Sequence, residues 1–170
     1  LVAAAVSIKL LGKATAGYLF VAAPFETLNL QMEIMTLLLP WLTWVTANYL
    51  VGSVMQGEGT FKRVFIVQSY ALVPYILFSW PVQLFSNALT LQESILYDAA
   101  MNGILIWVGV LMLIGTMMAH NYNMKETTGM VMVSLITLGC LWVFGLVLIG
   151  LIYQAADFFI EFGREVWDRV

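Results

Sequence analysis

The sequence predicts an all-α integral membrane protein: a bundle of about five transmembrane helices with a kinked third helix and a C-terminal amphipathic helix in the membrane interface. Two observations carry this prediction. Apolar residues make up 62% of the 170 residues and charged residues only 10%, whereas an ordinary soluble domain has about 45–50% and about 25%. The apolar residues are also grouped into stretches of about 20, which is the length that crosses a bilayer.

The first stretch covers residues 1–20 and is irregular, because Lys9 and Lys13 lie within it. The two lysines are four residues apart and share one face of a helix, from which their long side chains can reach the membrane interface. Since the chain begins with Leu1 rather than Met, we expect that residues before it complete this span and that the N-terminus is truncated.

Four further apolar stretches follow in the sequence. They cover about residues 32–55, 61–85, 99–118 and 129–153. Together with the first stretch they predict one membrane domain over residues 1–152, with no soluble domain within it.

The third stretch is interrupted by Pro74 and Pro81. Proline has no N–H to donate to the carbonyl four residues earlier, so two backbone carbonyls need other partners. One interpretation is a kinked helix that lets the spans pack compactly, and the frequency of proline in membrane helices favours it. The other interpretation is an intramembrane polar cluster. Its candidate residues are Gln68, Tyr70, Pro74, Tyr75 and Gln83.

The loops between the stretches differ in charge. Lys62 and Arg63 follow the second stretch, and His120 and Lys125 follow the fourth, whereas the loops at the other end carry only acidic charges. The positive-inside rule therefore places the basic loops in the cytoplasm and the C-terminal tail outside.

The tail, residues 153–170, has the pattern of an amphipathic helix. Four apolar residues share one side, and four acidic residues share another. These are Phe159, Phe162, Val166 and Val170, and Asp157, Glu161, Glu165 and Asp168. We expect this second unit to lie in the membrane interface with Trp167 as an anchor.

Four short motifs occur in order between these stretches. They are GEGTFKR at 57–63, YALVPY at 70–75, SNALT at 86–90 and HNYNMK at 120–125. In order and spacing they resemble the bacterial branch of the Yip1 family of multi-span membrane proteins. The resemblance implies a compact bundle of about five helices with a cytosolic N-terminus, located in a bacterial cytoplasmic membrane and acting through lateral protein contacts. The Rab-binding segment of the eukaryotic members is not part of this sequence, so Rab binding is carried over to no residue.

The sequence contains no recognisable catalytic motif. It has one histidine, one cysteine (Cys140) and neither HExxH nor GxSxG, so we expect no catalytic residues, no metal and no cofactor. The net charge of −3 without a clustered basic face also argues against nucleic acid as a partner.

We therefore predict a non-enzymatic scaffold or accessory protein that contacts the lipid bilayer and other integral membrane proteins, with homo-oligomerisation as a further option. The candidate docking residues are Gly57, Gly59, Lys62, Arg63, His120, Asn121 and Lys125. Two alternatives stay open for His120, a pH-sensitive group or a side chain that suits a helix C-terminus. The alternative function is a small transporter or channel-like protein with a polar path along the broken third helix. Asn48 and Asn102 are further candidates for the lining of that path.

Glycines recur in the last two stretches. They are Gly103, Gly109 and Gly115 in one, and Gly139, Gly145 and Gly150 in the other. Small residues allow helices to approach closely, so we predict that these glycines pack within the bundle, with a seam between copies as the second option.

Overall fold

The computed structural model describes residues 1–16 and 29–167, and over these residues the chain is 89% helical and has no strand. The helices are α1 (Val2–Thr15), α2 (Leu30–Val54), α3 (Phe61–Tyr70), α4 (Val73–Phe85), α5 (Ser94–His120) and α6 (Met124–Trp167). Two short 3-10 turns, Ser86–Ala88 and Leu91–Glu93, connect α4 to α5. The all-helical prediction is confirmed.

Within residues 1–16 and 29–167, four helical segments are long and apolar enough to cross a membrane. They are Leu30–Val54, Phe61–Ala88, Ser94–His120 and Met124–Phe162. Helix α1 has only 14 residues, which is fewer than the roughly 20 that a span requires. The first predicted span ends at residue 20, and residues 17–20 lie outside the described part of the chain. The structure thus supports four of the five predicted spans.

The third span is divided into α3 and α4 by a turn at Ala71 and Leu72. Pro74 lies in the first turn of α4, where a missing N–H removes no intrahelical hydrogen bond. The Leu72 N–H donates to the Ser69 carbonyl over 3.3 Å instead of to the Gln68 carbonyl. That freed carbonyl accepts a bond of 3.4 Å from the indole N–H of Trp41 on α2. The neighbouring helix therefore satisfies the backbone where the span is interrupted.

The helices pack in pairs around one apolar core. Helix α1 packs on α4, α3 and α4 both pack on α5, and α2 packs on α6. The core contains Trp41 and Val45 of α2, Val64 of α3 and Val108 of α5. Helices α1 and α4 touch at Gly12, where a Cβ would lie 1.3 Å from Oε1 at the end of the Gln83 side chain.

Helix α6 is one continuous helix of 44 residues, about 66 Å long and roughly twice the thickness of the hydrocarbon core. It runs through residue 153 without interruption, so the tail continues the helix there. The boundary at 152/153 and the interfacial position of the tail stay predictions.

The prediction that the glycines pack within the bundle is right for one of them. A Cβ on Gly115 would lie 2.8 Å from Cγ1 of Val67, so α3 and α5 approach closely there. For the other five, a Cβ would meet no described atom within 4 Å, and the prediction is wrong. These are Gly103, Gly109, Gly139, Gly145 and Gly150.

Candidate functional site

Four polar side chains are buried where α2, α3 and α5 meet. Asn48, Gln68 and Thr116 are 0% exposed and His120 is 1% exposed. Polar groups inside a membrane protein are costly unless they are hydrogen-bonded. Their burial in one place therefore indicates a built network, which we call the polar network.

Thr116 is the centre of the polar network. Its hydroxyl donates to the Met112 carbonyl one turn earlier in α5, over 2.9 Å. It also accepts two bonds, from Nδ2 of Asn48 over 2.8 Å and from Nε2 of Gln68 over 3.1 Å. The same Gln68 nitrogen donates to the Met112 carbonyl over 3.2 Å. One hydroxyl on α5 thus joins α2 and α3.

His120 extends the polar network to the end of α5. Its Nε2 lies 3.2 Å from Oδ1 of Asn48. Because Nδ2 of Asn48 donates to Thr116, Oδ1 is the acceptor and His120 donates, which assigns a proton to Nε2. Nδ1 of His120 and Oε1 of Gln68 are buried and have no hydrogen-bond partner among the described residues.

Three glycines surround the imidazole of His120, and we call them the glycine cradle. A Cβ on Gly52 would lie 2.0 Å from Cε1 of the ring, and one on Gly57 would lie 2.5 Å from Nδ1. A Cβ on Gly59 would lie 2.7 Å from both ring atoms and 3.1 Å from the Ala119 carbonyl oxygen. Gly57 and Gly59 lie in the segment between α2 and α3, which we call the hinge. They are explained by the close approach of the backbone to one buried ring.

The hinge after α2 and the turn after α5 are also bonded to each other. The Glu58 N–H donates to the His120 carbonyl over 3.5 Å. The Tyr122 hydroxyl donates to the Met55 carbonyl over 3.0 Å, and the Tyr122 ring stacks on His120 with centroids 5.6 Å apart. Desolvation and the Glu126 carboxylate both raise the pKa of Tyr122, which keeps its hydroxyl protonated as a donor.

The remaining predicted docking residues differ in their surroundings. Nη2 of Arg63 donates to the Met118 carbonyl over 3.0 Å, near the end of α5. Lys62 and Lys125 are exposed. Asn121 is exposed and has a left-handed backbone, with φ of 59°. The structure thus brings the hinge and the turn together, while Arg63 has a bond within the fold and the two lysines face outward.

The five residues of the predicted intramembrane cluster lie in different places. Gln68 belongs to the polar network, whereas Tyr70 is 62% exposed at the end of α3. Pro74 is buried in the first turn of α4, Tyr75 is part of the apolar core, and Gln83 packs on α1. Only the first of them is bonded to the polar network described above.

Two residues of this site are not identified from the sequence as functional candidates, Thr116 and Gly52. The available signal is spacing, because Thr116 and His120 are four residues apart, as are Asn48 and Gly52. Such pairs share a helix face. A polar pair on one apolar helix, and an asparagine beside a small residue on another, are compatible with a contact between α2 and α5.

Within the described residues, no group of three or more His, Cys, Asp or Glu side chains could hold a metal ion. In the comparisons with known proteins, the family model described as the Yip1 domain matches residues 1–153. The matched range includes the polar network, the glycine cradle and the turn after α5. No curated protein and no solved structure matches the chain.

Proposed function

Because the chain belongs to the Yip1 domain family, we propose that it is a non-enzymatic scaffold or accessory protein of a bacterial cytoplasmic membrane, which acts through contacts with other integral membrane proteins. The observation that carries this proposal is the joining of the hinge and the turn into one continuous surface. We call residues 55–63 and 120–125 the hinge–turn surface.

Contacts within the fold connect the two parts of the hinge–turn surface. The Glu58 N–H and the Tyr122 hydroxyl bond across it, and beneath it the glycine cradle encloses His120. A surface that is ordered before it meets a partner loses little conformational entropy on binding. This favours a docking role over a flexible connection between spans.

The exposed charges of this surface point to the side on which a partner would bind. Lys62 and Lys125 are both exposed, one in the first turn of α3 and one in the first turn of α6. Basic residues that flank spans favour a cytoplasmic location. We infer that the partner presents an acidic or polar cytoplasmic loop, since rim charges guide the encounter between two surfaces.

The test is a quantitative pull-down of the protein from its native membrane in nanodiscs. A Lys62→Glu/Lys125→Glu variant reverses the two outward charges and leaves the Arg63–Met118 bond in place. We expect a stoichiometric membrane partner to be captured and its capture to fall about tenfold in the variant. A photo-cross-linker at Met124, which is 70% exposed in the first turn of α6, should then join the same partner.

Arg164→Glu is the matched control, because this exposed arginine lies in the distal part of α6. It should leave capture unchanged, and a topology assay should show native orientation for all three proteins. Equal capture by the double variant would contradict the docking role. Recovery of the protein alone, with a solute flux in liposomes that Gln68→Leu abolishes, would favour the transporter instead.

A further inference from the structure

A groove of about 540 Å³ lies between α1, α2, α4 and α5. Leu72, in the turn between α3 and α4, also lines it. Its lining residues are Lys9, Thr36, Leu37, Pro40, Trp41, Trp44, Leu72, Tyr75, Met101, Leu105, Val108 and Met112. This volume lies within the range of about 300–1,000 Å³ that is usual for small-molecule sites. The walls are largely apolar, and Lys9 and Thr36 provide polar groups at one end.

The groove runs along the helices from near the start of α2 and α5 toward their middle. On α2 it extends from Thr36 to Trp44, which is about 12 Å along the helix axis. On α5 it extends from Met101 to Met112, about 16 Å. Since half of the hydrocarbon thickness is about 15 Å, the groove has the length of one leaflet.

The polar end of the groove carries an excess of positive charge. Nζ of Lys9 lies 3.4 Å from Oε2 of Glu33. The same nitrogen donates to the Glu33 carbonyl over 3.1 Å and to the hydroxyl of Thr36. Lys13 pairs with the other oxygen of Glu33. Lys9, Lys13 and Glu33 together therefore carry a net charge of one positive unit at the polar end of the groove.

We propose that this groove binds an anionic phospholipid, with one acyl chain along the apolar walls and the headgroup phosphate at Lys9 and Lys13. The groove and a phospholipid match in the order of their ends. Each has a polar end toward the membrane surface and an apolar end toward the middle of the bilayer. In a bilayer, apolar walls alone do not distinguish one lipid from another. The charged mouth supplies the selectivity, because basic side chains at the surface attract anionic headgroups.

This site is separate from the hinge–turn surface. Its mouth lies near the beginning of α2, at Thr36, whereas the hinge follows the end of the same helix at Val54. The two therefore belong to opposite sides of the membrane, and the lipid site does not depend on the proposed docking function.

Native mass spectrometry of the full chain, released from nanodiscs, tests this proposal. The nanodiscs contain equal amounts of phosphatidylglycerol and phosphatidylcholine with identical acyl chains, so that only the headgroups differ. We expect one retained phosphatidylglycerol per protein. Equal retention of the two lipids, or no retained lipid, would overturn the proposal.

Leu105→Trp fills the groove, because Leu105 lines it from α5. It should abolish the retained lipid, whereas Leu146→Trp, on the exposed face of α6, should not. Retention by Leu105→Trp equal to that of the unaltered chain would show that the lipid binds elsewhere. Melting temperatures of both variants check that the chain is folded.

Lys9→Gln tests the headgroup contact separately from the binding of the acyl chain. The Glu33–Lys13 pair stays in place, and the net charge at the mouth falls to zero. We expect the preference for phosphatidylglycerol to fall about fivefold, which is the usual effect of one basic residue at a membrane surface. Lys62→Gln, which removes a charge at the other side of the membrane, should leave the preference unchanged. An unchanged preference in Lys9→Gln would refute the phosphate contact even if Leu105→Trp did not fold.

Discussion

His120 at the end of α5 donates a hydrogen bond of 3.2 Å to Asn48 of α2, 72 residues earlier in the chain. Through Asn48 the bonding continues to Thr116 and from there to Gln68 on α3. Lipid tails are as apolar as most helix surfaces, so helix association in a membrane depends on close packing and on bonds of this kind. The polar network thus selects which helices meet and in which register.

Replacing Asn48 with leucine should destabilise the bundle. The change removes both the donor to Thr116 and the acceptor for His120, and it leaves a buried imidazole N–H without a partner. Interhelical hydrogen bonds in membranes contribute about 1–2 kcal/mol in peptide systems and less in some proteins. We expect a loss of unfolding free energy of about 1 kcal/mol, measured by denaturant unfolding in mixed micelles.

Thr46→Val is the control for this measurement. Thr46 lies on the same helix, but its hydroxyl bonds only to the Leu42 carbonyl of that helix, over 2.9 Å. It should cost clearly less than Asn48→Leu. Similar losses for the two variants would show that the polar network contributes nothing specific.

Adding a methyl group at Gly52 should also destabilise the protein, for a different reason. The new Cβ would lie 2.0 Å from Cε1 of His120, so the ring or helix α2 must move. Overpacking of this kind costs about 1–3 kcal/mol. Gly52→Ala should therefore lower the thermal midpoint in nanodiscs, and the Gly52→Ala/His120→Ala double variant should recover part of the loss because the ring is gone.

Gly109→Ala is the matched change in an open position. It also lies inside a helix, and a Cβ there meets no described atom within 4 Å. Alanine is the better helix former by about 1 kcal/mol, so this variant should be as stable as the unaltered chain or more so. If Gly52→Ala behaved in the same way, the glycine cradle would not be tight.

The glycines of α5 and α6 separate the features that the sequence predicts from those that depend on tertiary packing. The apolar stretches predict four of the spans because span length follows directly from bilayer thickness. The glycines of α5 and α6 look equivalent in the sequence, yet Gly115 packs on α3 and Gly145 faces open space. Which face of a helix meets a neighbour depends on tertiary packing, and the pattern of a uniformly apolar span does not reveal it.

The same limit applies to the candidate site. The hinge glycines and His120 are recognisable as unusual residues, but their contact joins segments about 60 residues apart in the chain. Thr116 is a single hydroxyl in an apolar span, and such side chains commonly bond to their own helix. Its role as the acceptor for both Asn48 and Gln68 becomes visible only when the three helices are placed together.

Glu93 provides a test of pH dependence at the opposite end of the bundle. Its Oε2 accepts from the Thr90 N–H over 2.9 Å and from the Thr90 hydroxyl over 3.1 Å. These two bonds hold the pKa of Glu93 below the ordinary value of 4.5, because they favour the ionised form. A carboxyl with a lowered pKa stabilises the fold above 4.5, and this contribution is lost as the pH falls through the lowered value.

The amide resonance of Thr90 in ¹⁵N-labelled protein in nanodiscs reports on this bond. It should be constant at neutral pH and shift only below pH 4.5, as Glu93 becomes protonated. In Glu93→Gln the amide should show no such transition. A Thr90 transition centred above 4.5, or one that persists in the glutamine variant, would contradict the assignment.

The left-handed backbone of Asn121 supports a final prediction about the hinge–turn surface. Asn121 follows the last residue of α5 with φ of 59° and ψ of 39°, and its N–H donates to the Met117 carbonyl. Asparagine and glycine adopt this conformation readily, whereas other residues lose about 1–2 kcal/mol and β-branched ones are least tolerated. Asn121→Val should destabilise the protein by at least about 1 kcal/mol, and Asn121→Gly should be close to neutral.

Hydrogen exchange locates that effect. The Tyr122 N–H donates to the Met117 carbonyl and the Glu58 N–H to the His120 carbonyl, so both amides should exchange faster in Asn121→Val if the turn opens. Amides in the middle of α5 should keep their protection in both variants, which separates local opening from global unfolding. If the valine variant left Glu58 as protected as the glycine variant does, the turn conformation at Asn121 would not be what holds the hinge. The order of the hinge–turn surface would then come from its other contacts, such as the glycine cradle and the Arg63–Met118 bond.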